Sequence, residues 1–167
     1  MIRRRRRPRR APAEEAAGSG SGAPSLAEAL PAGCTFSADT ALVDRDLVHH
    51  WLSTGAYWAQ GRSRTMQDAA IDGSMNFGVY DHDGRQLAYA RLVTDRATFG
   101  WLADVYVDPS ERGRGVGVAL IAGVAETVDA MGLRRTVLVT NDAQGLYAKF
   151  GFAHPDDPTR WMLRGAR

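Results

Sequence analysis

Three runs in the middle of the chain, Met75 to Tyr80, Gln86 to Thr94 and Thr98 to Val107, are short, rich in Val, Leu, Tyr and Phe, and bounded by polar turns, which predicts three β-strands. Asp81-His82-Asp83-Gly84 suits a hairpin between the first two, so the three are expected to lie antiparallel. Upstream, Thr35 to Ala38 reads as a short strand. Leu42 to Leu52 reads as a helix with Leu42, Leu47, Trp51 and Leu52 on one face, and Arg64 to Ile71 as a second, with Ser63 as N-cap. Downstream, Val116 to Met131 is an apolar helical segment closed by Gly132, followed by a buried strand over Thr136 to Thr140, a helix over Ala143 to Phe150 and a final edge strand over Arg160 to Leu163. A strand, a helix and another strand in that order imply a crossover and a locally parallel pair. The pattern predicts an α/β (α+β) fold: a mixed, mostly antiparallel central sheet of six to seven strands flanked by about four helices.

Charge divides the chain in two. Residues 1–24 hold seven arginines against Glu14 and Glu15, whereas residues 25–167 hold 14 basic residues against 17 acidic ones. The basic character is that of a leading segment, Arg-rich and then Gly/Ser-rich, whose composition predicts a disordered extension. Residues 25–167 are expected to form a single domain. Nucleic acid is a conceivable partner only through the arginine tail, because the remainder is mildly acidic. No apolar run reaches the about 18 residues of a membrane span, and Cys34 is the lone cysteine, so a cytoplasmic protein without disulfides is expected. The spacing of His49, His50, His82, His154 and Cys34 offers no metal set, and no metal is expected.

The candidate chemistry begins at VYVDPSERGRGVGVALI, where a β-type run passes through Asp108-Pro109 into a glycine-rich turn and a helix. Glycines let main-chain N–H groups face an anion, the helix N-terminus adds partial positive charge, and Arg112 and Arg114 add fixed charge. The turn fits a pyrophosphate. Val118 and Leu120 stand where a G-x-G-x-x-G motif would need glycine, and no Gly-Lys-Ser/Thr is present, so the turn matches neither a dinucleotide fingerprint nor a P-loop. Arg112, Gly115 and Gly117 fill the pattern Arg/Gln-x-x-Gly-x-Gly/Ala, LADVYVDP precedes it and LYAKFGF follows. In this order the three segments resemble the GCN5-related N-acetyltransferases, over roughly residues 34–163.

That resemblance implies transfer of an acetyl group from acetyl-CoA to a primary amine by direct attack on the thioester. It also implies main-chain contacts from Val105, Tyr106 and Val107 to the pantetheine arm, and from Gly113, Arg114, Gly115, Val116 and Gly117, with Arg112, to the pyrophosphate. Tyr147 is implied as the general acid for the departing thiolate; by helical spacing alone it reads as a core tyrosine. A lysine-type amine with a pKa near 10.4 is neutral in only roughly one molecule in a few thousand at pH 7, so a base is useful. Asp104 in its apolar strand is either that base or the ionic partner of Arg91 or another arginine. The family's asparagine falls here on Thr140, with Asn141 one residue later as a candidate CoA contact. The link between the first two helices supplies Tyr57, Trp58 and Arg62 as candidate acceptor contacts, an aromatic wall for a cation and an arginine for a carboxylate; Trp51 is either part of that wall or core. The acceptor is a small-molecule or peptide amine, and the protein a monomer or homodimer. Two other readings remain open: a non-catalytic acyl-CoA-binding or regulatory module, and a nucleic-acid binder acting through the tail.

Overall fold

The computed structural model describes residues 22–165. The extension expected at residues 1–24 therefore lies almost wholly outside the described residues. A five-stranded sheet of order β1-β2-β3-β4-β5 forms the centre: β1 Thr35–Ser37, β2 Met75–Tyr80, β3 Gln86–Thr94, β4 Phe99–Val107 and β5 Arg135–Val137. Neighbouring strands are antiparallel except β4 and β5, which run parallel through the crossover helix. Five α-helices accompany them among the described residues: α1 Leu26–Ala29, α2 Arg45–His50, α3 Arg64–Asp72, α4 Val116–Met131 and α5 Gln144–Ala148.

The helix boundaries follow from their caps. Ser63 accepts from the Met66 amide at 3.3 Å to begin α3, and Gly132, with φ 64°, ends α4 in a left-handed turn. The helix expected over Leu42 to Leu52 is interrupted instead. Asp44 accepts from the Leu47 amide at 2.9 Å and so starts α2 beyond Leu42, which is left exposed; a wider turn over Trp51–Gly55 then prolongs the helix. Sequence reading missed α1, whose Ser25 and Glu28 form a capping box and whose Leu26 amide donates to Glu126 of α4 at 2.7 Å.

Two strand expectations are corrected. β5 has three residues, half-buried or exposed, in place of a buried run to Thr140, because its outer side has no strand partner among the described residues. No edge strand forms over Arg160 to Leu163. A tight turn capped by Asp157 occupies Pro158–Arg160, and the Trp161 ring stacks under the Arg135 guanidinium 5.7 Å away. The sheet therefore has five strands among the described residues where six to seven were expected.

Two apolar layers sandwich the sheet. On one face Phe77, Val79, Ala88, Ala90, Leu92 and Leu102 pack against Val116, Leu120, Ile121 and Val124 of α4. On the other, Tyr89 and Tyr106 meet Val48, Trp51, Leu52 and Ile71 of the first helices. At Gly123 α4 packs directly on the Phe36 ring of β1, which a Cβ there would overlap. Gly123→Val should cost about 1–3 kcal/mol by overpacking, read as a lower urea midpoint at an unchanged m value.

Candidate active site

The strands that carry the candidate chemistry separate where it is needed. β4 pairs with β5 only from Phe99 to Trp101, so that edge of β4 has no strand partner from Leu102 to Val107 among the described residues. The Asp108 amide donates to the Leu87 carbonyl of β3 at 2.9 Å, and main-chain direction alternates along a strand, so Val107 and Val105 present their N–H and C=O groups to the open edge. The Val107 carbonyl accepts from Arg112 Nε at 3.2 Å. Tyr106 differs from its neighbours. It lies opposite Tyr89 with its main chain toward β3, its ring is buried against Trp51 at 5.5 Å, and the Arg112 guanidinium sits 5.5 Å above that ring. Of the three residues implied as pantetheine contacts, two face the opening.

The turn after β4 is built as the glycines predict. Gly113 and Gly115 have φ of 75° and 85°, a region other side chains rarely enter, and Gly115 caps α4 without any side-chain hydrogen bond. No acid stands in the first turn of α4, so its leading amides and dipole face outward without competition. Gly117 lies against Val107, where an added Cβ would meet the valine methyl at 3.4 Å. Glu111, which the sequence reading passed over, is buried and accepts from Arg85 at 2.7 Å and Arg114 at 2.7 Å, fixing the side of the turn that carries Arg114.

A β-bulge precedes the open segment. Tyr89 faces Tyr106 and Arg91 faces Ala103, so Asp104 and Val105 together oppose Ala90 alone, and Asp104 takes φ 53°. The bulge shifts the phase of the strand. Leu102, Val105 and Val107 pack toward α4, whereas Asp104 and Tyr106 turn to the other face. There Asp104, 5% exposed, is enclosed by donors: Arg62 at 2.6 and 3.1 Å, Arg91 Nε at 2.6 Å and Trp58 Nε1 at 3.2 Å. Burial works to raise the Asp104 pKa, but the hydrogen bonds and charges of Arg62 and Arg91 outweigh it and hold the carboxyl below the usual range. Of the two roles open to Asp104, the geometry displays the ionic partner, with both carboxylate oxygens committed.

Tyr147 stands on α5, buried, edge-on to Phe152 at 5.9 Å. Its hydroxyl makes no hydrogen bond among the described residues and is not one of their sealed polar atoms, so it is free to donate outward. Burial first, then the neighbouring Asp142 and Tyr57, push its pKa up to about 12. Tyr57 and Trp58 are exposed and pack edge to face at 4.9 Å, forming a rim next to the Asp104 cluster, while Trp51 is buried core. Asn141 is exposed in the bend before α5; the neighbouring Thr140 hydroxyl accepts from the Ala143 amide at 3.1 Å. Arg91, Gln67 and Ser74 complete the arginine cluster from positions that no local motif marks.

Comparison with known proteins identifies the family. The model of the acetyltransferase (GNAT) family matches residues 45–152. The chain belongs to that family. A Gibberella zeae protein inferred to be an acetyltransferase is 29% identical over 133 residues, covering 68% of this chain and 75% of that one. A crystal structure of a protein from Xanthomonas campestris pv. campestris, inferred to be a GNAT acetyltransferase, is 44% identical with a TM-score of 0.75, covering 80% of this chain and 93% of that chain. A Mycobacterium tuberculosis protein solved in complex with CoA and NLQ shares the fold at 19% identity and a TM-score of 0.60, over 73% of each chain. This family member has a mixed sheet with helices on both faces. None of the described helices is long and apolar enough to cross a membrane.

Proposed function

We propose that this GNAT member is an acetyl-CoA-dependent N-acetyltransferase that passes the acetyl group to a primary amine by direct attack on the thioester. The observation that carries the reading is the unpaired edge of β4 at Val105 and Val107, continuous with the left-handed glycines of the turn before α4. An extended pantetheine arm fits an open strand edge as an added strand would. A pyrophosphate fits the outward amides between Gly113 and Gly117, with Arg112 and Arg114 beside them. Asn141 is close enough in sequence to α5 to join the CoA side of the cleft.

In this reading the Val105 amide, fixed by the bulge, holds the oxygen that gains charge as the amine attacks. The Tyr147 hydroxyl gives its proton to the departing sulfur. The proton released by the amine passes to solvent, because Asp104, bound to two arginines and kept at low pKa, is a weak base. Asp104 holds Trp58 and Arg62 in place beside the bulge instead. Two measurements test the proposal together: calorimetric titration with CoA, and release of free thiol from acetyl-CoA across a panel of amines. Binding and thiol release are expected. Gly117→Asp, which sets a carboxylate on the first turn of α4, should weaken CoA roughly tenfold or more by repulsion at a place meant for phosphate. Unchanged CoA affinity in that variant would place the pyrophosphate elsewhere.

A further inference from the structure

We infer that the acceptor amine carries a carboxylate, and that the Arg62–Asp104–Arg91 cluster is built to receive it. The inference rests on the acetyl-transfer reading above and specifies its substrate class. It begins with a charge imbalance. The described residues contain two other arginine networks, and in both the acids outnumber the bases. Arg45 and Arg64 face Asp46, Asp68 and Asp72, and Arg85 and Arg114 face Asp81, Asp108 and Glu111. The cluster beside the bulge reverses this, with Arg62 and Arg91 sharing Asp104 alone. A surplus positive charge on two side chains that are only 14% and 16% exposed is costly without an anion.

The hydrogen bonds lean the same way. Arg62 spends Nη1 and Nη2 on Asp104 and Gln67, and Arg91 spends Nε and Nη1 on Asp104 and Ser74, which leaves Arg62 Nε and Arg91 Nη2 without acceptors among the described residues. Gln67 is fully buried. Its Oε1 accepts from Arg62 at 2.9 Å, yet its Nε2 has no acceptor among the described residues. The site therefore has a surplus of both donors and positive charge, and a carboxylate, which only accepts, complements both.

The cluster also sits where an acceptor would be. Asp104 immediately precedes Val105, whose amide faces the open edge, and the exposed pair Tyr57 and Trp58 joins the cluster to the neighbourhood of Tyr147. A diamine entering here would meet positive charge and no free acceptor. An amino acid would present its carboxylate to the arginines and its amine toward the thioester.

Matched substrates test this in the thiol-release assay: free amino acids, the same amino acids as carboxamides, and diamines of similar length. Wild type is expected to favour the acid over its amide by roughly 100-fold in kcat/KM, less than a sealed site achieves because the arginines are partly exposed. In Arg62→Gln the ratio should fall to below about fivefold, with calorimetric CoA affinity confirming that the variant is folded. Were Arg62→Gln to lose CoA binding with its fold, the wild-type ratio alone would decide. Amides or diamines turned over as fast as acids, with CoA still bound, would overturn the carboxylate inference and leave acetyl transfer standing. No thiol release with any amine would overturn acetyl transfer itself and the inference with it.

Discussion

Replacing Tyr147 by phenylalanine should lower kcat by about 10²- to 10⁴-fold, the usual range for losing a positioned general acid, while CoA affinity stays near that of wild type. The ring contact with Phe152 and the apolar surroundings on α5 survive the change, so what is removed is the hydroxyl, which has no hydrogen-bond partner to leave unsatisfied among the described residues. Folding stability should accordingly change little. The phenol's pKa, pushed up to about 12, keeps the proton available at every pH at which the protein is ordinarily assayed. Any alkaline fall in kcat well below that value must then come from another group. The same displacement has a stability consequence. Below the unfolded value of 10.0 wild type and Tyr147→Phe should be about equally stable, and as pH rises from there toward about 12 wild type should lose stability because the buried phenol resists ionisation, a loss the variant should lack. Near-normal kcat in the variant would withdraw Tyr147 as the acid and reduce it to the core tyrosine that its helical spacing suggests.

The parts of the fold that sequence made legible are those fixed by local pattern. β2 and β3 have the expected bounds, and β4 starts one residue late, because period and turn chemistry act within a few residues. α4 runs from Val116 to Met131 as read, since glycines mark both ends. Failures occur where a partner decides. β5 is short because nothing among the described residues pairs with its outer side, and Arg160 to Leu163 is turned away by the Pro158 turn and the Trp161 stack on Arg135. The bulge at Asp104 is invisible to alternation, since it exists only in register with β3. Its one local signal is a carboxylate in an apolar strand, which raises the choice between base and ion pair without settling it. Arg62 and Arg91 reach Asp104 from a loop and a neighbouring strand, Gln67 of α3 joins them only through Arg62, and no spacing in the sequence announces that convergence.

Asp104→Asn should be the most destabilising single change at this site, by about 3–5 kcal/mol, the range for removing one member of a buried ion pair. Asparagine is the informative choice because it nearly matches aspartate in shape and tolerates the left-handed φ of 53°, so the bulge need not relax and the loss reports charge. What remains is two guanidinium groups, 14% and 16% exposed, facing each other across a neutral amide. A second change that removes one of them, Arg91→Gln, should cost far less in the Asp104→Asn background than in wild type, and a double-mutant cycle read from urea midpoints would give the coupling directly. The pH dependence has a definite sign. Asp104 has its pKa lowered in the folded state, so the stability it confers is present above the unfolded carboxylate value near 3.8 and is lost as pH falls through the lower folded one. Wild type should lose stability on that acid side more steeply than the variant. Since Asp104 also holds Trp58 and Arg62 beside Val105, the variant should lose more in kcat/KM for the acceptor than in CoA affinity, which also draws on Val107 and the glycine turn. Equal stability of the Asp104→Asn variant and wild type across pH 2 to 7 would mean that the two arginines are satisfied without the carboxylate, and the account of this cluster as an anion-seeking centre would have to be abandoned.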